Sequence, residues 1–147
     1  MRWMDTSRVI GIPLRWNDVD AYRHVSHMAL VAILDDGRGR WLDSVVGSLV
    51  PDWGYVVARL ELDFRAPASL GERVLFGSFA VEHVGSSSIR LQERLTTNSG
   101  SVVVEAVSVI VAWDQDQAVG RPLTGAEKAA LTCEIAPAHG VPKFLTT

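Results

Sequence analysis

Between Arg15 and His27 the chain places two aspartates, two histidines and two arginines, as Arg15-Trp16-Asn17-Asp18-Val19-Asp20-Ala21-Tyr22-Arg23-His24-Val25-Ser26-His27. An apolar run, residues 28–34, follows at once. Charge set against a segment that must be buried is costly unless it is paired or used. One use is catalysis beside a helix N-terminus. The free N–H groups and the positive end of the helix dipole can hold a developing oxyanion. A nearby carboxylate can act as general base on water or as a nucleophile. Thioesters suit this arrangement, because their carbonyl is more electrophilic than an amide's and thiolate leaves readily. Asp20 is the candidate carboxylate, and the backbone N–H of His27 is the candidate oxyanion donor.

The same residues also have plainer readings. Aspartates in a strand-to-helix turn often satisfy backbone N–H groups or pair with an arginine. That reading is preferred for Asp18, with Arg15 or Arg23 as its partner, and stays open for Asp20. His24 reads either as a general acid or as a hydrogen-bonding residue of the turn. Asp18, His24 and His27 share one turn without helical H-x-x-x-H spacing or a distant ligand cluster, which argues against a metal site. No metal and no cofactor is expected.

The elements that must position these groups follow from the pattern. Residues 9–16 read as a strand, with Pro13 marking an edge or an irregularity. Ser26 is a candidate N-cap for a helix from His27 to about Val45. Its first two turns are apolar all round, which predicts a helix wrapped by protein on every side. Its second half alternates Asp35, Asp36, Arg38, Arg40 and Asp43 with Trp41, Leu42, Val45 and Val46. Gly37 and Gly39 cost about 1 kcal/mol each relative to alanine inside a helix, so a close sheet or second chain is expected beside them.

From Tyr55 the period becomes two, with Leu60, Leu62 and Phe64 on one face. Residues 74–84 form a second strand of this region. A Gly85-Ser86-Ser87-Ser88 turn leads to a third, with Ile89, Leu91 and Leu95 facing one way. Residues 102–113 form a long β-branched strand expected to be central. Thr124-Gly125-Ala126-Glu127 has the capping-box pattern and opens a helix to about Leu131. The tail after Glu134 gives no assignment. The result is an α+β domain in which an antiparallel sheet curls around one helix, leaving a face or an edge open to a second copy.

Composition bounds the partners. The chain has 147 residues, a formal net charge of −3 and 48% apolar residues. That fits one domain and gives no basic surplus for nucleic acid. No apolar run reaches bilayer length and the start lacks a secretory apolar core. Cys133 is the only cysteine, so an internal disulfide is excluded. A soluble, cytoplasmic protein is expected.

Arg15-Trp16-x-Asp18-x-Asp20-x-x-x-His24-Val25 resembles the opening signature R-[WY]-x-D-x-D-x-x-G-H-V-N-N-x-x-Y of hotdog-fold acyl-CoA thioesterases of the 4-hydroxybenzoyl-CoA thioesterase type. Asp35-Asp36-Gly37-Arg38 resembles the acidic-acidic-small-Arg stretch of that family's helix. Residues 62–72 resemble its D-F-x-x-P-x-x-x-G-D/E segment, and residues 107–114 its last strand. The resemblance covers about residues 8–131. It implies a five- or six-stranded antiparallel sheet around a central helix, paired into dimers and often tetramers. It implies hydrolysis of an acyl-CoA or other pantetheine thioester, with Asp20 as the catalytic carboxylate and the N–H near His27 as oxyanion donor. The acyl chain would run between subunits, past Val57 to Arg59 of the second copy. His24, Ser87 and Ser88 are candidate substrate-binding positions. Arg65, Arg73 and Arg90 are candidates for the nucleotide phosphates, because the 85–88 turn lacks the basic residues of some relatives.

The departures are specific. Arg23 stands where the signature has glycine, Ser26-His27 where it has Asn-Asn, and Leu30 where it has tyrosine. Arg23 could pair with Asp20 and weaken it as a base. Two alternatives share the fold. One is an enoyl-CoA hydratase-like enzyme using Asp20 and His24, although the Asn-Pro of that pattern is absent. The other is a non-catalytic acyl-CoA-binding module.

Overall fold

A computed structural model describes residues 8–135. Six strands form one antiparallel sheet: β1 (Ile10–Pro13), β2 (Tyr55–Phe64), β3 (Val74–Val84), β4 (Ser88–Thr96), β5 (Val102–Asp114) and β6 (Val119–Gly120). Their order is β1-β3-β4-β5-β2, with β6 added to the end of β5. The central helix is α1 (His27–Val46), and a short α2 (Gly125–Thr132) follows β6. This is the expected hotdog arrangement, with β1 and β2 as its edges. Pro13 sits on the β1 edge, where a missing N–H costs no ladder bond. The first strand is shorter than its sequence pattern, because Trp16–Asp18 turn into a 3-10 helix.

β3, β4 and β5 are joined by tight turns and pair along most of their lengths. Their inward side chains, among them Leu75, Phe79, Ile89, Leu91, Leu95 and Ile110, are fully buried against Leu34, Trp41, Leu42 and Val46 of α1. Gly37 explains itself here. A Cβ at this position would lie 3.1 Å from both Ile12 Cδ1 and Phe79 Cζ, so glycine lets the helix settle onto the sheet without displacing either side chain.

Three expectations change. The first turns of α1 are not wrapped on every side, since Met28 is 82% exposed and Ala32 is open to solvent. A sheet this narrow covers one side of the helix and leaves the other bare. Phe64, expected inward, is 51% exposed at the end of the edge strand β2, its ring lying beside His27 at the start of α1. Arg38 departs from the solvated face to which its pattern assigned it. It is 1% exposed and its guanidinium bonds Glu93 of β4 and Asp35.

Candidate active site

The segment before α1 is a small hairpin. Val19 and Val25 bridge, Asp20 N–H donates to His24 O at 2.9 Å, and Arg23 N–H donates to Asp20 O at 3.1 Å. Arg23 takes a left-handed φ of 66° at the turn, the conformation that glycine would adopt freely. Val25 N–H donates to Ala68 O at 2.7 Å, tying the hairpin to the segment after Pro67.

Asp18 braces the base of this turn. It is 3% exposed, and its carboxylate accepts from the Arg15 backbone N–H at 2.7 Å and from the Arg15 guanidinium at 3.2 Å. Its carbonyl accepts from Ser26 N–H at 2.8 Å. Of the two partners considered for Asp18, the structure selects Arg15.

Ser26 caps α1 as expected, its Oγ accepting from Ala29 N–H at 3.1 Å. Leu30 N–H already bonds Ser26 O. The N–H groups of His27 and Met28 are left without an intrahelical acceptor, as the first turn of any helix requires. The His27 ring packs on Phe64 with centroids 5.4 Å apart, so its side chain serves packing while its backbone faces the helix end.

Asp20 is half-buried beside this helix end. Its Oδ1 accepts from Tyr22 N–H at 2.9 Å and more weakly from His24 N–H at 3.4 Å. These bonds fix the carboxylate plane within the turn. Among the described residues no ion pair joins Arg23 to Asp20.

A cavity of about 430 Å³ opens over these groups. Asp20, His24 and His27 line it together with Arg65, so four of the residues singled out from sequence meet in one place. Leu30 forms part of the wall, at the position where the family signature has tyrosine. Tyr22, Phe64 and Pro67 also line it and were not singled out as site residues. The signal for the last two lay in the Asp-Phe-x-x-Pro segment, whose proline turns the chain back beside Val25.

The other candidates lie elsewhere in this chain. Val57 and Arg59 sit on the exposed edge strand β2, on either side of a register shift in its pairing with β5. Ser87 and Ser88 form the β3–β4 turn, where their carbonyls accept from Ala112 and Gly85. Arg90 is engaged by Glu82 at 3.0 Å. Arg73 caps a 3-10 turn with φ 62°. None of these six lines the Asp20 cavity. No cluster of three or more metal-ligating side chains occurs among the described residues.

A family model described as the thioesterase-like superfamily matches residues 14–139. The chain belongs to that superfamily. The match spans the Asp20 hairpin, the central helix and every strand after β1.

Solved thioesterase structures share the fold. One from Jannaschia sp. CCS1, of the thioesterase superfamily, superposes with a TM-score of 0.80 at 18% identity, covering 90% of this chain and 96% of that one. A predicted thioesterase from Bacillus stearothermophilus gives 0.76 at 20% identity, covering 88% and 98%. A thioesterase from Thermus thermophilus, complexed with coenzyme A and Zn, gives 0.72 at 25% identity, covering 85% and 91%. No curated protein matches the chain. No helix of the described residues is long and apolar enough to cross a membrane.

Proposed function

We propose that this thioesterase-like protein hydrolyses an acyl-CoA thioester to the free acid and coenzyme A. The observation that carries the reading is the meeting of Asp20 with the open N-terminus of α1 in one cavity. A thioester carbonyl held there has its oxygen at the His27 and Met28 N–H groups and its carbon facing the carboxylate. Asp20 then either deprotonates the attacking water or attacks the carbon itself, and the first-turn N–H groups stabilise the oxyanion. Thiolate leaves without needing a strong acid.

Coenzyme A as the carrier is supported by the Thermus thermophilus relative complexed with it. Arg65 lines the cavity beside Phe64 and is the nearest candidate cation for a phosphate or carboxylate of the substrate. The exposed edge of β2 supports assembly with a second copy, whose Val57 and Arg59 would complete the acyl channel.

The deciding experiment is Asp20→Asn against wild type on a panel of acyl-CoAs, read by release of free thiol. Turnover in the wild type and its loss by about a hundredfold or more in the variant is expected for a general base or nucleophile. Undiminished thiol release from Asp20→Asn would remove Asp20 from the mechanism. Loss of enoyl absorbance without thiol release would identify a hydratase, and tight acyl-CoA binding without turnover a binding module.

A further inference from the structure

A second cavity, of about 520 Å³, lies at the far end of the helix and shares no lining residue with the Asp20 cavity. Its floor is Gly39 and Asp43 of α1, and its walls include Trp53, Tyr55 and Trp113. Asp43 stands 16 residues beyond His27 on the helix, about 24 Å along the axis at 1.5 Å per residue.

Nothing within the chain crowds Gly39. A Cβ there would meet only Tyr55 Oη, at 3.5 Å, an ordinary contact. Its neighbour Gly37 is crowded by Ile12 and Phe79, whereas Gly39 lowers helix stability and leaves open floor beside Tyr55.

Three aromatic side chains share the wall with Gln115. The Trp53 and Tyr55 rings lie 5.5 Å apart at 47°. Trp53 Nε1 donates to Glu127 Oε2 at 2.7 Å, which fixes the indole.

The charge around the opening is negative. Asp43 is exposed and has no ion-pair partner among the described residues. The adjoining cavity shares Trp113 and brings Asp52, Asp114 and Asp116 to the same end of the sheet. Its one cation, Arg121, is neutralised by two bonds of 2.8 Å to Glu127. Aromatic side chains beside an unpaired carboxylate, in a negative field, match a weakly hydrated organic cation.

We propose that this cavity binds a small alkylammonium group, seated on Gly39 between the aromatic walls and Asp43. Within one chain the two cavities share no lining residue, and the proposal rests on this cavity's own lining rather than on the thioester reading.

The test is calorimetric titration of the full chain with choline and with 3,3-dimethylbutan-1-ol, its uncharged counterpart of the same shape. Choline should bind at one site per chain, with the alcohol weaker by about tenfold or more. Asp43→Asn should weaken choline by about tenfold, and Gly39→Met, which fills the floor with a good helix former, should abolish saturable binding. Thermal unfolding of both variants confirms that they fold. The proposal fails if choline gives no saturable heat, if the alcohol binds equally well, or if either folded variant keeps wild-type affinity.

Discussion

The guanidinium of Arg38 holds the carboxylate of Glu93 through two hydrogen bonds, 2.6 Å from Nε and 2.8 Å from Nη2, with both side chains closed off from solvent. Glu93 lies on the inward face of β4 with Ile89, Leu91 and Leu95, so this pair joins the middle of α1 to the middle of the sheet. Burial pushes the Glu93 carboxyl up, against the pull of Arg38. For Arg38, burial pulls downward, but the hydrogen bonds and charge of Glu93 outweigh it and raise the guanidinium further above its ordinary value.

Removing one partner leaves the other charge buried. Arg38→Met is expected to destabilise the fold by about 3–5 kcal/mol, and Glu93→Gln by a smaller amount because an amide can still accept from the guanidinium. The double variant Arg38→Met with Glu93→Leu should recover most of the loss, since no orphan charge remains. Urea unfolding of the three variants measures this. A double variant no more stable than Arg38→Met would show that the pair contributes more than mutual neutralisation.

Arg23 carries a different cost. Its φ of 66° puts a side chain where a Cβ is disfavoured by about 1–2 kcal/mol. Arg23→Gly should therefore raise stability by about 1 kcal/mol, while Arg23→Ala, which keeps the Cβ, should not. Chemical unfolding midpoints decide it. An equal gain from both substitutions would locate the effect in the guanidinium rather than in the backbone.

Glu127 gives the fold an acid-sensitive clasp. Burial alone would raise its carboxyl, yet the Arg121 guanidinium, the Thr124 N–H and the Trp53 indole hold it down at about 2, against an ordinary 4.5. The folded chain thus binds this proton less readily than the unfolded one. The resulting stability is fully present above about pH 4.5 and is lost as pH falls through about 2. The difference corresponds to roughly 3 kcal/mol. Glu127→Gln should be less stable than wild type near neutrality, with the gap narrowing steadily across that window. Urea midpoints at about pH 6, 4.5 and 3 measure the gap, and a gap independent of pH would exclude the ionised carboxylate as its source.

What could be read from sequence was what is local. Ser26 announces the start of α1 because a hydroxyl before an apolar run is a cap whatever surrounds it. Thr124 and Glu127 announce α2 in the same way, and both of their reciprocal bonds are present. β3, β4 and β5 follow from alternation between turn residues. The Asp20 cavity was legible in part, since Asp20, His24 and His27 are near in sequence and Arg65 lies in a recognisable segment. Arg38 was misplaced because its partner is 55 residues away, and an arginine beside aspartates on a helix reads as solvated. Trp53 and Glu127 meet across 74 residues for the same reason unannounced. The bare side of α1 at Met28 depends on how wide the sheet is, which no window of residues contains.

The edge strand β2 carries the last prediction. It pairs with β5 on one side only, and Val56 and Val57 are 36% and 40% exposed along it. Phe64 at its end and Met28 on the bare side of α1 extend the apolar surface to the Asp20 cavity. An unpaired edge with valines presents backbone N–H and C=O groups to any matching strand, and a second copy of β2 across a two-fold axis matches it on both sides. A lysine on an edge strand opposes such pairing. Val57→Lys is therefore expected to lower the molecular mass seen in sedimentation to that of one chain and, under the proposed channel shared between copies, to reduce thiol release with it. Asp20→Asn should lose turnover at unchanged mass, separating chemistry from assembly. A wild-type chain that sediments as a monomer with full turnover would sink the idea that the site needs a second copy.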